Sequence, residues 1–179
     1  MWWCSMHIGT VTKDTRMHDQ LPLFQEGNQT KNSLPIYRVT LVREGQLPSY
    51  EHQFRSSADA ARMLATYLAD VDREHFVVCM LDQKNHVIGI HTVSMGSLTA
   101  SIVHPREVFK AAILANAATI LCGHNHPSGD PQPSKEDRAI THRLAEAGKL
   151  LGINVVDHII IGGAGKYFSF ADEGLLGAA

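Results

Sequence analysis

Ala118-Thr-Ile-Leu-Cys-Gly-His-Asn-His-Pro-Ser-Gly-Asp-Pro-Gln-Pro-Ser-Lys-Glu-Asp137 is the stretch from which the rest of the chain can be organised. Its first six residues, Ala118 to Gly123, form a short apolar run of strand character. Residues 127–133 then hold three prolines and a glycine, the composition of a turn-rich loop. Ser134 stands three positions before Asp137, as at a helix N-terminus. His124 and His126 therefore fall at the end of a strand, two apart, so they share a face roughly 6.5–7 Å from each other. Two imidazoles at that separation can converge on one ion through bonds of about 2.0–2.1 Å. Asp137, folded back by the loop, makes a hard third ligand. Three protein ligands leave one tetrahedral position for water, the arrangement of a catalytic zinc site. Each part also has a plainer reading. Two histidines on a strand can be hydrogen-bonded core residues, Ser134 and Asp137 can be a capping pair suited to the helix dipole, and Asp130, between Gly and Pro, reads as a turn residue. Their combination on one strand-loop-helix unit favours a metal site.

Outward from this unit the pattern is mixed. Ile36, Tyr37, Val39, Leu41 and Val42 read as a strand ending at Glu44-Gly45. Ser56 and Asp59 resemble a capping box, followed by Ala60, Ala61, Met63, Leu64, Tyr67 and Leu68 at helical spacing to about Asp70. Phe76 to Leu81 and Val87 to Val93 read as a β-hairpin around Asp82 to Asn85. A short strand near Ser101 to Val103 precedes a helix with Pro105 in its first turn, whose apolar face carries Val108, Phe109, Ala112, Ile113 and Ala117. Ser134 opens a helix with Ile140, Leu144, Ala147 and Leu151 on its apolar side, stopped by Gly152. Ile153 to Ile161 and Tyr167 to Phe170 are the last strands. The expected fold class is α/β: a sandwich around one mixed sheet flanked by helices. Residues 1–34 are polar and without period; they read either as a flexible arm in which Leu21, Leu23 and Phe24 form a short docking motif or as a disordered tail of no function, with the ordered domain spanning 35–179.

Composition narrows the function. The chain has 179 residues, one domain's worth, with 44% hydrophobic and 19% charged residues. Sixteen basic against 18 acidic residues give a net charge of −2, so no global positive field draws it onto nucleic acid. Cys4, Cys79 and Cys122 are an odd number with no CxxC pair, which points to a reducing, cytoplasmic compartment. The N-terminus lacks signal-peptide character, and no apolar run is long enough for a membrane span.

His124-x-His126, seven residues, Ser134, two residues and Asp137 reproduce the JAMM signature, H-x-H-x(7)-S-x(2)-D, and the chain resembles the JAB/MPN metalloproteins that carry it. His104-Pro105-Arg106-Glu107-Val108-Phe109-Lys110, His124 to Asp130 and Asp157-His158-Ile159-Ile160-Ile161-Gly162 look like the RadC-like branch, over roughly residues 50–176. The resemblance implies a JAB/MPN, cytidine-deaminase-like sandwich and a zinc ion on His124, His126 and Asp137. It implies that Ser134 serves the water or the oxyanion, and that a glutamate from an earlier strand acts as general base. Family members outside this branch cleave peptide or isopeptide bonds. Position 125 is Asn, where deubiquitinating relatives carry Ser or Thr. Residues 1–34 are too short and polar for the N-terminal helical domain of RadC-like proteins, so DNA binding through such a domain is not expected, and the chain resembles prophage and plasmid-borne relatives.

Glu74, opening the strand Phe76 to Leu81, matches the family's glutamate; its rival Glu107 falls where a capping Glu sits behind Pro105. His104 reads as the residue leading into that helix. His158, in a strongly apolar strand, reads as a hydrogen-bonded structural histidine or an orienting partner of a ligand. The expected chemistry is zinc-assisted hydrolysis of a peptide, isopeptide or related amide, with Glu74 as base and Ser134 as donor. The alternatives are metal-dependent nucleic-acid processing, to which the branch's DNA-repair label points against the charge balance, and a metal-bound interaction module without turnover.

Overall fold

A computed structural model describes residues 34–46, 53–96 and 103–176. The chain divides into two units, Met1–Arg38 and Val39–Ala179. The expected docking motif at Leu21, Leu23 and Phe24 lies outside the described residues, as does most of the strand expected near Ser101. The β-rich run from Ile36 to Val42 is not a strand. It has no regular structure and stands in solvent, with Ile36 92% exposed. Strand preference is a preference for a half-buried, paired surface. No described strand pairs with this run, so among the described residues its side chains have no sheet to pack on.

The second unit is built from α1 (Ser57–Tyr67), β1 (His75–Leu81), β2 (Val87–Met95), α2 (Pro105–Leu114), β3 (Thr119–Asn125), α3 (Lys135–Leu151), β4 (Asn154–Ile161) and β5 (Tyr167–Ser169). The Ser56–Asp59 capping box starts α1. Asp82 makes the β1–β2 turn by accepting from the amides of Lys84 and His86 at 2.7 and 2.8 Å, with Asn85 in the left-handed region at φ 60°. The His104 ring accepts from the Arg106 amide at 3.2 Å and so caps α2, with Pro105 next. Helix α2 stops at Leu114 because Asn116 turns the chain at φ 52°. Ala117 therefore reaches the core from the turn instead of the helix face, and Ile113 faces a shallow surface groove together with Leu151.

One five-stranded sheet runs in the order β2-β1-β3-β4-β5, antiparallel except for β3 and β4. A parallel pair needs a crossover, and α3 supplies it. Both faces are covered. Phe76, Val78, Ile120 and Cys122 pack with Val108 and Phe109 of α2 and Leu144 of α3 on one side. Val77, Cys79, Leu121 and Ile159 pack with Leu64 and Met63 of α1 on the other. Strands covered twice need continuous apolar runs, which is what His75–Leu81 and Thr119–Asn125 contain. Gly123 lets α1 come close, since a Cβ there would meet the Leu64 side chain at 2.6 Å. No described helix is long and apolar enough to cross a membrane.

Candidate metal centre

The end of β3 and the start of α3 meet where sequence places the two histidines and Asp137. Side chains alternate along β3, so Ile120, Cys122 and His124 point to the α3 side and His126 continues that row. His124 is fully buried and stacks on Phe76, its partner across the β1–β3 ladder, with ring centres 6.0 Å apart. His126 is 16% exposed. It is held by its own loop: its amide donates to Ile161 O at 2.9 Å, and its Nδ1 donates to Asp130 O at 2.7 Å. That loop is pinned in turn. Gly129 takes φ 79°, and its carbonyl accepts from Gly163 N at 2.8 Å. A Cβ at Gly162 would fall 2.7 Å from the same carbonyl.

Asp137 is fully buried in the first turn of α3. Ser134 caps the helix, its hydroxyl donating to Asp137 Oδ2 at 2.6 Å and accepting from Asp137 N at 3.1 Å, while Ser134 N donates to the same Oδ2 at 2.8 Å. The capping box is thus present, and it leaves the other oxygen over. Asp137 Oδ1 is buried, has no hydrogen-bond partner and lies 3.3 Å from His124 Nε2. His126 Nε2 lies 3.0 Å from His124 Nε2 and 3.5 Å from Asp137 Oδ2.

These distances carry a chemical argument. Because Asp130 O can only accept, a neutral His126 holds its proton on Nδ1 and turns a bare Nε2 inward. A second imidazole nitrogen and a carboxylate oxygen share that small space, so acceptor faces acceptor unless a proton or a cation lies between them. Ligands of a tetrahedral ion with bonds of about 2.0–2.1 Å are separated by about 3.3 Å, which is the spacing found. The unsatisfied Asp137 Oδ1 and this donor set fit a divalent metal, and His124, His126 and Asp137 form the one group of potential ligands among the described residues. Nitrogen and carboxylate donors suit zinc.

Electrostatics separates the three. Burial, with His158 alongside, holds the His124 pKa well below the ordinary imidazole value. For His126 the Asp137 carboxylate outweighs burial and raises the pKa, with smaller help from Asp130 and Glu74. Burial alone would raise the Asp137 pKa; hydrogen bonds from His126 and Ser134 and the charge of His124 reverse this and hold it well below the usual carboxylate range. A metal and a proton therefore compete for the same atoms.

Glu74 lies just before β1, half-buried. The β1–β3 ladder ends at Phe76 and His124, and Glu74, two residues before Phe76, lies near enough to His126 for its charge to bear on that ring. In sequence Asn125 stands out only as a departure from relatives. Its amide in fact brackets Glu74: Oδ1 accepts from His75 N at 2.9 Å and Nδ2 donates to Arg73 O at 3.0 Å. From the other side Gly96 N donates to Glu74 O at 2.8 Å. A cross-strand bond of this kind has no local signature. Glu107, the rival, is bonded to Lys110 at 2.6 Å and lies beside Arg106 on α2. Asp130 shapes its own turn, accepting from Gln132 N at 3.1 Å. Cys79 and Cys122 are free, buried thiols, burial pushing the Cys79 pKa up to about 12 and that of Cys122 higher still, so neither is a nucleophile at neutral pH.

Comparison with known proteins shows the family. The RadC-like JAB domain matches residues 54–175. A UPF0758 protein of Rubrobacter xylanophilus is 53% identical over 121 residues, covering 68% of this chain and 52% of that protein. One from Methanococcoides burtonii is 47% identical over 126 residues, 70% of this chain and 55% of that protein. A third, from a Geobacillus species, is 52% identical over 147 residues, 81% and 65% of the two. The chain thus spans about half the length of the first two relatives.

Proposed function

The chain belongs to the RadC-like JAB domain family, and from that premise we propose that it is a zinc-dependent hydrolase of a peptide, isopeptide or related amide bond. One observation carries the proposal: His124 Nε2, His126 Nε2 and the unsatisfied Asp137 Oδ1 converge at the partly open end of β3. His124, His126 and Asp137 would hold the ion. When bound, zinc supplies a Lewis acid that brings the pKa of water towards neutrality and polarises a carbonyl.

The remaining work falls to the chain. Glu74, whose charge reaches His126 and whose two chain neighbours are held by Asn125, takes a proton from the attacking water and returns it to the leaving amine. Asp137 keeps its charge through the helix N-terminus and the Ser134 bonds. Ser134 donates to the oxyanion only if its hydroxyl proton turns from Asp137 Oδ2 into the site. Phe76 and the walls around His124 exclude water from the inner side of the centre.

A panel of peptide and isopeptide substrates, run beside supercoiled plasmid on wild type and Asp137→Ala, tests the reading. Amide cleavage by wild type, lost in Asp137→Ala and on chelation, is expected. Plasmid nicking with no amide cleavage would replace this reaction with a nuclease, and metal binding with no turnover of any kind would leave an interaction module.

A further inference from the structure

The outer nitrogen of His124 starts an unbroken line of buried hydrogen bonds. His124 Nδ1 lies 2.9 Å from His158 Nε2, and His158 Nδ1 lies 2.6 Å from Thr141 Oγ1. Thr141 Oγ1 donates at 2.6 Å to the backbone carbonyl of Asp137, one helical turn earlier on α3. All four residues are buried.

The direction of every proton follows. A carbonyl oxygen only accepts, so the single hydroxyl proton of Thr141 is committed to Asp137 O. Thr141 Oγ1 must then accept from His158, which places the His158 proton on Nδ1. The neutral His158 ring has a bare Nε2, and that nitrogen accepts from His124 Nδ1–H. His124 is left with its lone pair on Nε2, the atom facing His126 and Asp137. In the opposite tautomer an N–H would occupy that direction and no ligand atom would remain. The His158 ring cannot tilt away easily, since Phe170 stacks on it at 5.0 Å and Phe76 meets it edge-on at 5.3 Å.

We propose that Thr141 and His158 are positioning residues that set the tautomer of His124 and tie its ring to the backbone of Asp137. Two of the three ligands are then tied together by one line of hydrogen bonds through β3, β4 and α3, whereas His126 is oriented separately by Asp130. The proposal rests on the reading of these residues as a metal centre.

Two measurements test it. Two-bond ¹H–¹⁵N correlation spectra of metal-free protein at neutral pH identify which nitrogen of each ring carries hydrogen. Competition with a chromophoric chelator gives zinc affinity. Wild type and Thr141→Ser, which keeps the hydroxyl, should both show His124 protonated on Nδ1 and bind zinc equally. Thr141→Val and His158→Phe should lower zinc affinity by about 10–100-fold, and Thr141→Val should mix the tautomers of His158 and His124. A wild-type His124 protonated on Nε2 would overturn the proposal, and that spectrum requires no variant to fold. So would Thr141→Val with wild-type tautomer and affinity. Wild type that binds no zinc would instead remove the metal centre, while the metal-free spectra still decide the tautomer link.

Discussion

His124 and His126 share one face of one strand end, yet the fold surrounds them differently. His124 is enclosed by Phe76, His158 and Thr141, and its hydrogen bonds lead inward to α3. His126 opens towards solvent, is held by a loop carbonyl and feels the charge of Glu74. On the proposed function, the inner half of the centre would hold a ligand still, and the outer half would admit a substrate and move a proton. A single tripeptide serves both because a residue two positions further along the strand has already left the core.

If that division is right, the largest loss of rate without loss of metal belongs to the outer half. Glu74→Gln should keep the metal while hydrolysis falls by about 10²–10⁴-fold. Glu107→Gln should leave both unchanged, because its carboxylate is engaged by Lys110 and Arg106. Steady-state rates beside metal analysis check this, and the reverse result would move the base to α2.

The inner half should show itself next, in acid. Burial brings the His158 pKa down to about 4, against an ordinary value of 6.5. Between about pH 6.5 and 4 the unfolded chain therefore binds a proton that the fold refuses, so stability falls as pH falls through that window. His158 alone accounts for on the order of 3 kcal/mol. His126, with its pKa raised, has the opposite sign: its contribution is fully present below 6.5 and is lost only above that. Urea midpoints of metal-free protein should drop across the window, and in His158→Phe that drop should shrink.

The smallest effect concerns the bracket around Glu74. Asn125→Ala removes two hydrogen bonds to the start of β1 and should cost about 1–2 kcal/mol in stability. Its kcat should fall more than its metal content, since only Glu74 loses its support. Equal loss of metal would place Asn125 with the inner half.

Much of this is legible in the sequence, and the reasons are local. The capping boxes at Ser56 and Ser134, Pro105 at the head of α2 and the β1–β2 turn each depend on neighbours within four residues. The gathering of His124, His126 and Asp137 is legible because strand periodicity and a helix cap confine it. Ile36 to Val42 is as β-prone as Phe76 to Leu81 yet irregular, because no described strand lies beside it. The His124–His158–Thr141 line and the Asn125 bracket cross between elements, and no spacing in sequence encodes which strand will lie next to which.

The central claim is that His124, His126 and Asp137 hold one divalent ion. The most direct measurement is the zinc content of purified wild type beside the His124→Ala, His126→Ala double variant. The account predicts close to one zinc per wild-type chain and none in the double variant, because a lone carboxylate is a poor chelator. Full metal occupancy in the double variant, or a wild type that takes up no zinc, would contradict it.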